Sequence, residues 1–439
     1  MKHKHLDVLI IGAGLSGVGA ACHLSRKCPD LRYGILERRK RVGGTWDLFR
    51  YPGIRSDSDM FTLGYNFRPW TDTKMLADGP SIRNYIEETA EHHQVHKKIH
   101  FGLKVTAEDW SSEFNRWTVT ALNEETGEEE VFTAGFVLNC TGYYNYDAGY
   151  TPKIPGINRF GGDVIHPQHW PDNYDYTGKR VVVIGSGATA VTLVPAMTDR
   201  AAHVTMLQRS PTYVASVPEQ DLISKNLRRV LPEMLVYRLA RTRNILLQRT
   251  VFNLSIRKPK AIRRLLLAAA RKQLGPDIDM KHFQPHYNPW EERMCAVPKG
   301  DLFKVLREGK ASVVTDHIKN VTKTGIKLES GDWIPADIIV TATGLDLQML
   351  GGAELRVDGT HVNLSNTMMY KGLMLEKVPN MALVFGYTNA SWTLKADIAS
   401  EFVCRLLKHM RKTGAEKVTP IDEEGCGSDV NFLNLFFFF

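Results

Sequence analysis

Twice along this chain an apolar run of strand length ends in a glycine-rich turn that opens a segment of helix-forming residues, and few folds accommodate that arrangement twice. The first run, Asp7 to Ile11, leads into Gly12-Ala13-Gly14-Leu15-Ser16-Gly17. The second, Lys179 to Ile184, leads into Gly185-Ser186-Gly187-Ala188-Thr189-Ala190, with Ala190 where the first copy has Gly17. In a G-x-G-x-x-G/A turn the first glycine makes the tight bend. The second lets the backbone approach a pyrophosphate, and the third lets helix and strand pack closely. The helix N-terminus behind the turn offers unpaired N–H groups and partial positive charge. The pattern predicts an α/β chain with two dinucleotide-binding, Rossmann-like domains on parallel sheets.

The two units end their second strands differently. Tyr33 to Glu37 closes on a carboxylate placed to accept hydrogen bonds from a ribose diol. His203 to Gln208 is followed instead by Arg209 and Ser210. A carboxylate there would repel a 2′-phosphate, whereas a guanidinium binds one through paired, charge-assisted hydrogen bonds. The second turn is therefore expected to take NADPH rather than NADH. Two later segments echo each other, Thr133 to Gly142 as T-A-G-F-V-L-N-C-T-G and Pro335 to Gly344 as P-A-D-I-I-V-T-A-T-G. Each reads as a buried strand ending in Thr-Gly, one plan used twice, with Gly142 and Gly344 as crossovers between the domains.

Composition excludes several classes. In 439 residues, six scattered cysteines form no C-x-x-C pair, which argues against a disulfide framework, a zinc site or a dithiol centre and for a reducing compartment. No secretory segment and no run of membrane-spanning length is visible, so a cytoplasmic protein is expected. The formal charge of +8 is concentrated: from Lys225 to Lys272 fourteen Lys or Arg accompany one acid, Glu233, leaving +13 there and −5 elsewhere. Nothing matches a nucleic-acid recognition module, so nucleic acid is not the expected partner. Leu227, Leu231, Leu235 and Leu239 recur every four positions among Arg228, Arg229, Arg238, Arg241 and Arg243. A basic amphipathic surface over 225–272 is thus expected to be either a solvated face or a site of peripheral contact with an anionic membrane.

Three further stretches narrow the reading. Gly43 opens G-G-T-W-D-L-F-R-Y-P-G-I-R-S-D-S-D, and His286 opens H-Y-N-P-W-E-E-R. Between the two turns lies F-G-G-D-V-I-H-P-Q-H-W-P, the pattern F-x-G-x-x-x-H-x-x-x-W-P carried by Phe160, Gly162, His166, Trp170 and Pro171. Together these resemble the Baeyer-Villiger monooxygenases of the flavin-containing monooxygenase family, closest in wording to the thioamide-activating members. The resemblance implies FAD at the first turn, NADPH at the second and O2 as co-substrate. It implies that Thr45, Trp46, Asp47 and Leu48 line the FAD and that Arg55, Ser56 and Asp57 continue along it. Asp57 would lie beside the flavin ring, and the Val105 backbone would meet adenine. Arg293 would reach the flavin, oriented by Asp57. A guanidinium stays charged at any working pH and suits negative charge that develops during oxygen transfer. Many relatives carry Lys just before that Arg; here it is Glu292, which leaves more of the phosphate grip to Arg209. His166 and Trp170 are expected to couple domain rotation rather than carry protons.

The resulting plan gives residues 1–148 and 344–439 to an FAD domain, 149–220 and 290–343 to an NADP domain, and 221–289 to a helical insertion. Gly386 to Thr393 is expected to form a turn and helix start over the flavin. The expected activity is insertion of one O2 oxygen into ketones to give esters or lactones, with S-oxidation of thioamides or sulfides. An S- or N-oxygenating flavin monooxygenase, which would not need Arg293, is the alternative. So is an inactive flavin-binding protein, to which the family-foreign run Phe436-Phe437-Phe438-Phe439 points.

Overall fold

The computed structural model describes residues 4–292, 294–387 and 389–422. Arg293 and the terminal phenylalanine run lie outside the described residues.

The first sheet has nine strands. Its parallel part runs in the order Ile99–Phe101, Tyr33–Glu37, Lys4–Ile11, Glu129–Asn139, Met381–Leu383. Glu129–Asn139 serves two systems, because its early residues also pair antiparallel with Arg116–Asn123, which in turn pairs with Leu103–Ser111. Residues 8–11 read as a continuous apolar run because both faces of this strand are covered. Val8 and Ile10 enter the core packed by helices Leu15–Lys27 and Thr393–Thr413, while Leu9 and Ile11 enter a second core with Trp110 and Trp117.

The second sheet is wholly parallel, in the order Ala311–Thr315, His203–Gln208, Arg180–Ile184, Ile338–Thr341, Asp163–Ile165. Its residues alternate likewise. Val181 and Val183 face the helical side with Leu193 and Phe303, and Val182 and Ile184 meet Ile326, Leu328 and Ile334 of a small antiparallel sheet. The repeat in the sequence is thus a repeat in space: Glu129–Asn139 lies parallel beside Lys4–Ile11, and Ile338–Thr341 lies parallel beside Arg180–Ile184. Just after Gly142 and Gly344 the chain forms Tyr144–Gly149 and Leu345–Leu347, which pair antiparallel. The two crossovers are therefore hydrogen-bonded to each other.

The parallel pair Tyr213–Val217 and Met294–Pro298 brackets the insertion, whose helices are Leu222–Leu227, Glu233–Arg257 and Pro259–Leu274. One expectation fails here. The leucines spaced by four do not form one helical face, because the chain breaks before Glu233 at Pro232; only Leu235 and Leu239 share a helix, and both point outward. The buried face is Val236, Tyr237, Ala240 and Asn244. Arg241 also turns inward, donating to the carbonyls of Phe61 at 2.9 Å, Thr62 at 3.0 Å and Gly64 at 2.8 Å. These are the carbonyls a short helix, Met60–Leu63, leaves unpaired at its C-terminus. Among the described residues no helix is long and apolar enough to cross a membrane.

Candidate functional site

At the first turn the Gly12 amide donates to the Leu36 carbonyl at 2.7 Å, and the helix Leu15–Lys27 begins directly after Gly14 with no side-chain cap. Its first N–H groups are therefore available to an anion. Glu37 is buried here. Its Oε2 accepts from the Ala13 amide at 2.6 Å and its Oε1 from the Arg39 amide at 2.8 Å. Burial raises the carboxyl pKa while these two amides oppose it. Each oxygen retains a lone pair for a ribose hydroxyl. Gly17 permits the packing: a Cβ there would stand 1.8 Å from the Gly12 carbonyl oxygen. Over the turn lies the second glycine pair, with the Gly43 amide donating to the Ala13 carbonyl at 3.1 Å. The Ser16 hydroxyl accepts from the Trp392 indole at 2.7 Å, which brings the start of helix Thr393–Thr413 onto the same place.

Thr45 to Leu48 form one helical turn. The Thr45 hydroxyl lies 3.5 Å from that of Tyr146, and Trp46 packs on the helical core. Asp47 is buried and held by Arg39 at 2.8 Å, with Arg41 at 3.3 Å and Arg50 at 3.8 Å. Arg55, Ser56 and Asp57, expected along the cofactor, follow on the next loop. The Arg55 guanidinium is taken up by Asp301 at 2.5 Å, beside Pro195 and Ala196 near the C-terminal end of helix Ala188–Met197. The Ser56 hydroxyl turns back on its own loop, donating to the Ser58 carbonyl at 2.8 Å and accepting from the Ser58 amide at 3.0 Å. Asp57 is exposed. Val105 is buried at a register shift, and the ladder to Glu354–Val357 begins only at Ala107.

The second turn is more open. Helix Ala188–Met197 starts after Gly187 without a side-chain cap, and a Cβ on Gly187 would meet nothing within 4 Å among the described residues. That gap is one a pyrophosphate can fill. The Ser186 hydroxyl lies 3.0 Å from that of Thr212 and 3.2 Å from the Ser210 carbonyl, tying the turn to the strand end that presents Arg209. Arg209 is exposed. Thr189 hydrogen-bonds the buried Tyr51 hydroxyl, and Ala190 is fully buried.

The segment Phe160–Pro171 joins these parts. Asp163–Ile165 forms the edge strand of the second sheet, with Phe160 packed against the core beneath it. Gly162 lies against the Asp337 carbonyl, 2.1 Å from where a Cβ would be. His166 Nε2 donates to the Gly344 carbonyl at 3.1 Å, and its Nδ1 accepts from the Gln168 amide at 3.2 Å. The Gln168 side chain, at one of the motif's variable positions, donates to the Asn145 carbonyl at 2.7 Å. One segment thus grips both crossovers. Trp170 packs edge-on to Tyr174 at 6.0 Å, and Pro171 is exposed. His166, Gln168, Gly187 and Thr189 line one side of a cavity of about 1060 Å³, with Leu347 and Phe385 among its apolar walls and Glu292 at its border.

Two glycine turns whose helices start without side-chain caps, the second of them lining a large cavity, define an oxidoreductase that binds two dinucleotides. The flavin-binding monooxygenase-like family model matches residues 4–421, and the chain belongs to that family. It is 58% identical over 436 residues to the putative FAD-containing monooxygenase MymA of Mycobacterium tuberculosis, covering 98% of this chain and 88% of the relative. It is 54% identical over 419 residues to the FAD-containing monooxygenase EthA of Mycolicibacterium smegmatis, covering 95% and 85% of the two chains. To the probable FAD-binding monooxygenase AlmA of Acinetobacter baylyi it is 53% identical over 418 residues, covering 95% and 84%. Among solved structures, cyclohexanone monooxygenase in its open form superposes with a TM-score of 0.79 at 22% identity, covering 96% of this chain and 90% of the other. OTEMO in complex with FAD and NADP gives 0.77 at 23% identity, covering 95% and 88%. The protein is a flavin-dependent monooxygenase whose cofactors are FAD and NADP.

Proposed function

We propose that the first turn holds FAD, the second holds NADPH, and the enzyme is a Baeyer-Villiger monooxygenase that inserts oxygen into ketones and also oxidises sulfur in thioamides or sulfides. The observation that carries this reading is His166. It sits between the crossovers at the wall of a large, mainly apolar cavity that the second nucleotide turn also lines. Reduced by NADPH, bound FAD supplies the oxygen chemistry; the chain supplies position and charge. Glu37 and the N-terminus of helix Leu15–Lys27 bind ribose and pyrophosphate at the first turn, and Gly187 and Arg209 do so at the second. His166 and Gln168 hold the crossovers so that the nicotinamide side of the cleft keeps its register. The domain plan drawn from the sequence follows: 1–148 and 344–439 for FAD, 149–220 and 290–343 for NADP.

We assign to Arg293 the fixed positive charge that meets the developing negative charge on substrate, with Asp57 orienting it. Loss of one such stabilising group costs about 10²- to 10³-fold in rate. The test is an NADPH-consumption assay with a ketone and a thioether, with product analysis. Ester or lactone from the ketone supports the reading. Sulfoxide alone makes this an S-oxygenating enzyme, and hydrogen peroxide alone with every substrate ends the proposal. Arg293→Ala should bind FAD normally and lose oxygenation; an unimpaired variant rejects that residue.

A further inference from the structure

We propose that the helical insertion is a docking face for an anionic lipid bilayer. Of the twenty large apolar side chains exposed among the described residues, eleven lie between Leu222 and Leu265. They do not share the face that packs on the protein. At about 100° per residue, Leu235, Leu239, Leu246 and Ile256 point away from Val236, Tyr237, Ala240 and Asn244, the buried side of helix Glu233–Arg257. Leu246 is 58% exposed and Ile256 62%. Arg238, Arg249 and Arg257 stand on the same outward stripe and are exposed. The helix's one acid, Glu233, lies off it and pairs with Arg228 at 3.0 Å.

The structure also sorts the basic residues. Four turn inward: Arg228 donates to the carbonyls of Trp70 and Thr71, Arg241 caps Met60–Leu63, Arg243 meets Asp221, and Arg263 meets the Tyr213 hydroxyl. The other ten of the fourteen between Lys225 and Lys272 are exposed. Water is the wrong partner for the leucines, and a second copy is the wrong partner for the cations, since self-association would set one cationic stripe against another. A surface with acyl chains beneath a layer of anionic headgroups satisfies both. Phe252, on the flank of the same helix, meets Trp290 edge-on at 5.7 Å, next to Glu291 and Glu292 at the cavity wall. Docking therefore sets the cleft beside the bilayer. This holds whichever substrate the enzyme oxidises.

The test is flotation of the full chain with vesicles of equal phosphatidylglycerol and phosphatidylcholine, against pure phosphatidylcholine, at 50 and 500 mM NaCl. The expected result is binding to the anionic vesicles that falls at least tenfold in high salt and on neutral vesicles. Arg238→Glu with Arg249→Glu should lower anionic-vesicle binding at least tenfold while NADPH oxidation in lipid-free buffer is unchanged. Binding that ignores salt overturns the proposal, and that arm needs no variant. So does binding that survives the double variant but is lost when Phe436 to Phe439 are replaced by serine, which would place the contact in the terminal run. Concentration-dependent self-association abolished by the same variant, without lipid binding, assigns the face to a second copy and also overturns it.

Discussion

The His166 imidazole donates from Nε2 to the Gly344 carbonyl at 3.1 Å while its Nδ1 accepts from the Gln168 amide at 3.2 Å. Both nitrogens are committed, so the ring is the neutral Nε2-protonated tautomer. Burial holds its pKa below the usual histidine range, and a second proton would set Nδ1–H against an amide N–H. The contact is kept above the ordinary histidine pKa and is lost as pH falls through the depressed one. His166→Ala removes two hydrogen bonds worth about 1 kcal/mol each. Bound FAD should be unchanged, and more of the NADPH consumed should end as hydrogen peroxide. A product-to-NADPH ratio equal to the parent's would deny His166 its coupling role.

The third position of each turn predicts opposite tolerance. Gly17→Ala places a methyl 1.8 Å from the Gly12 oxygen, so that variant should purify without flavin absorbance or not fold. Ala190→Gly only removes a buried methyl and adds backbone freedom, costing about 1 kcal/mol in denaturant unfolding. Equal flavin content in the two variants contradicts this.

Arg209→Ala should lower kcat/KM for NADPH roughly 10- to 100-fold, the worth of a charge-assisted phosphate contact. The value for NADH should stay within about twofold. Steady-state kinetics with both nucleotides decide the matter, and a parallel fall for the two would move the 2′-phosphate contact elsewhere.

Glu108 lies fully buried, bonded by Asn139 at 2.8 Å, and burial pushes its carboxyl up to about 8. Below the unfolded carboxylate pKa, about 4.3, both states are protonated and nothing is lost. Between there and about 8 the unfolded chain gives up a proton that the folded one keeps. Stability from this group therefore declines as pH rises, by at most about 1.4 kcal/mol per pH unit. Glu108→Gln should abolish that slope and unfold later than the parent at pH 8 but not at pH 4. Parallel urea curves at both values would show that Glu108 ionises in the fold.

What could be read from the sequence was what backbone geometry demands of particular residue types. The turns at Gly12 and Gly185, the terminal Glu37 and the doubled strand plan all follow from close approach or from strands buried on two faces. Long side chains escaped because their partners come from distant chain. Asp301 claims Arg55, and the carbonyls of Met60–Leu63 claim Arg241. The four-residue spacing from Leu227 to Leu239 misled because Pro232 divides it between a helix that ends at Leu227 and one that begins at Glu233, so only Leu235 and Leu239 share an outward face. The bond from Trp392 to Ser16 spans 376 positions and leaves no local trace.

The unlike surroundings of the two glycine turns set unlike lifetimes for their guests. The first is roofed by Gly44 and Trp392 and floored by a buried Glu37; a nucleotide seated there leaves only if several elements separate. The second opens on the cleft through Gly187, with its arginine in solvent, so its occupant can come and go between turnovers. With FAD at the first turn and NADPH at the second, as proposed, residence and exchange would be divided by how much protein stands over each turn.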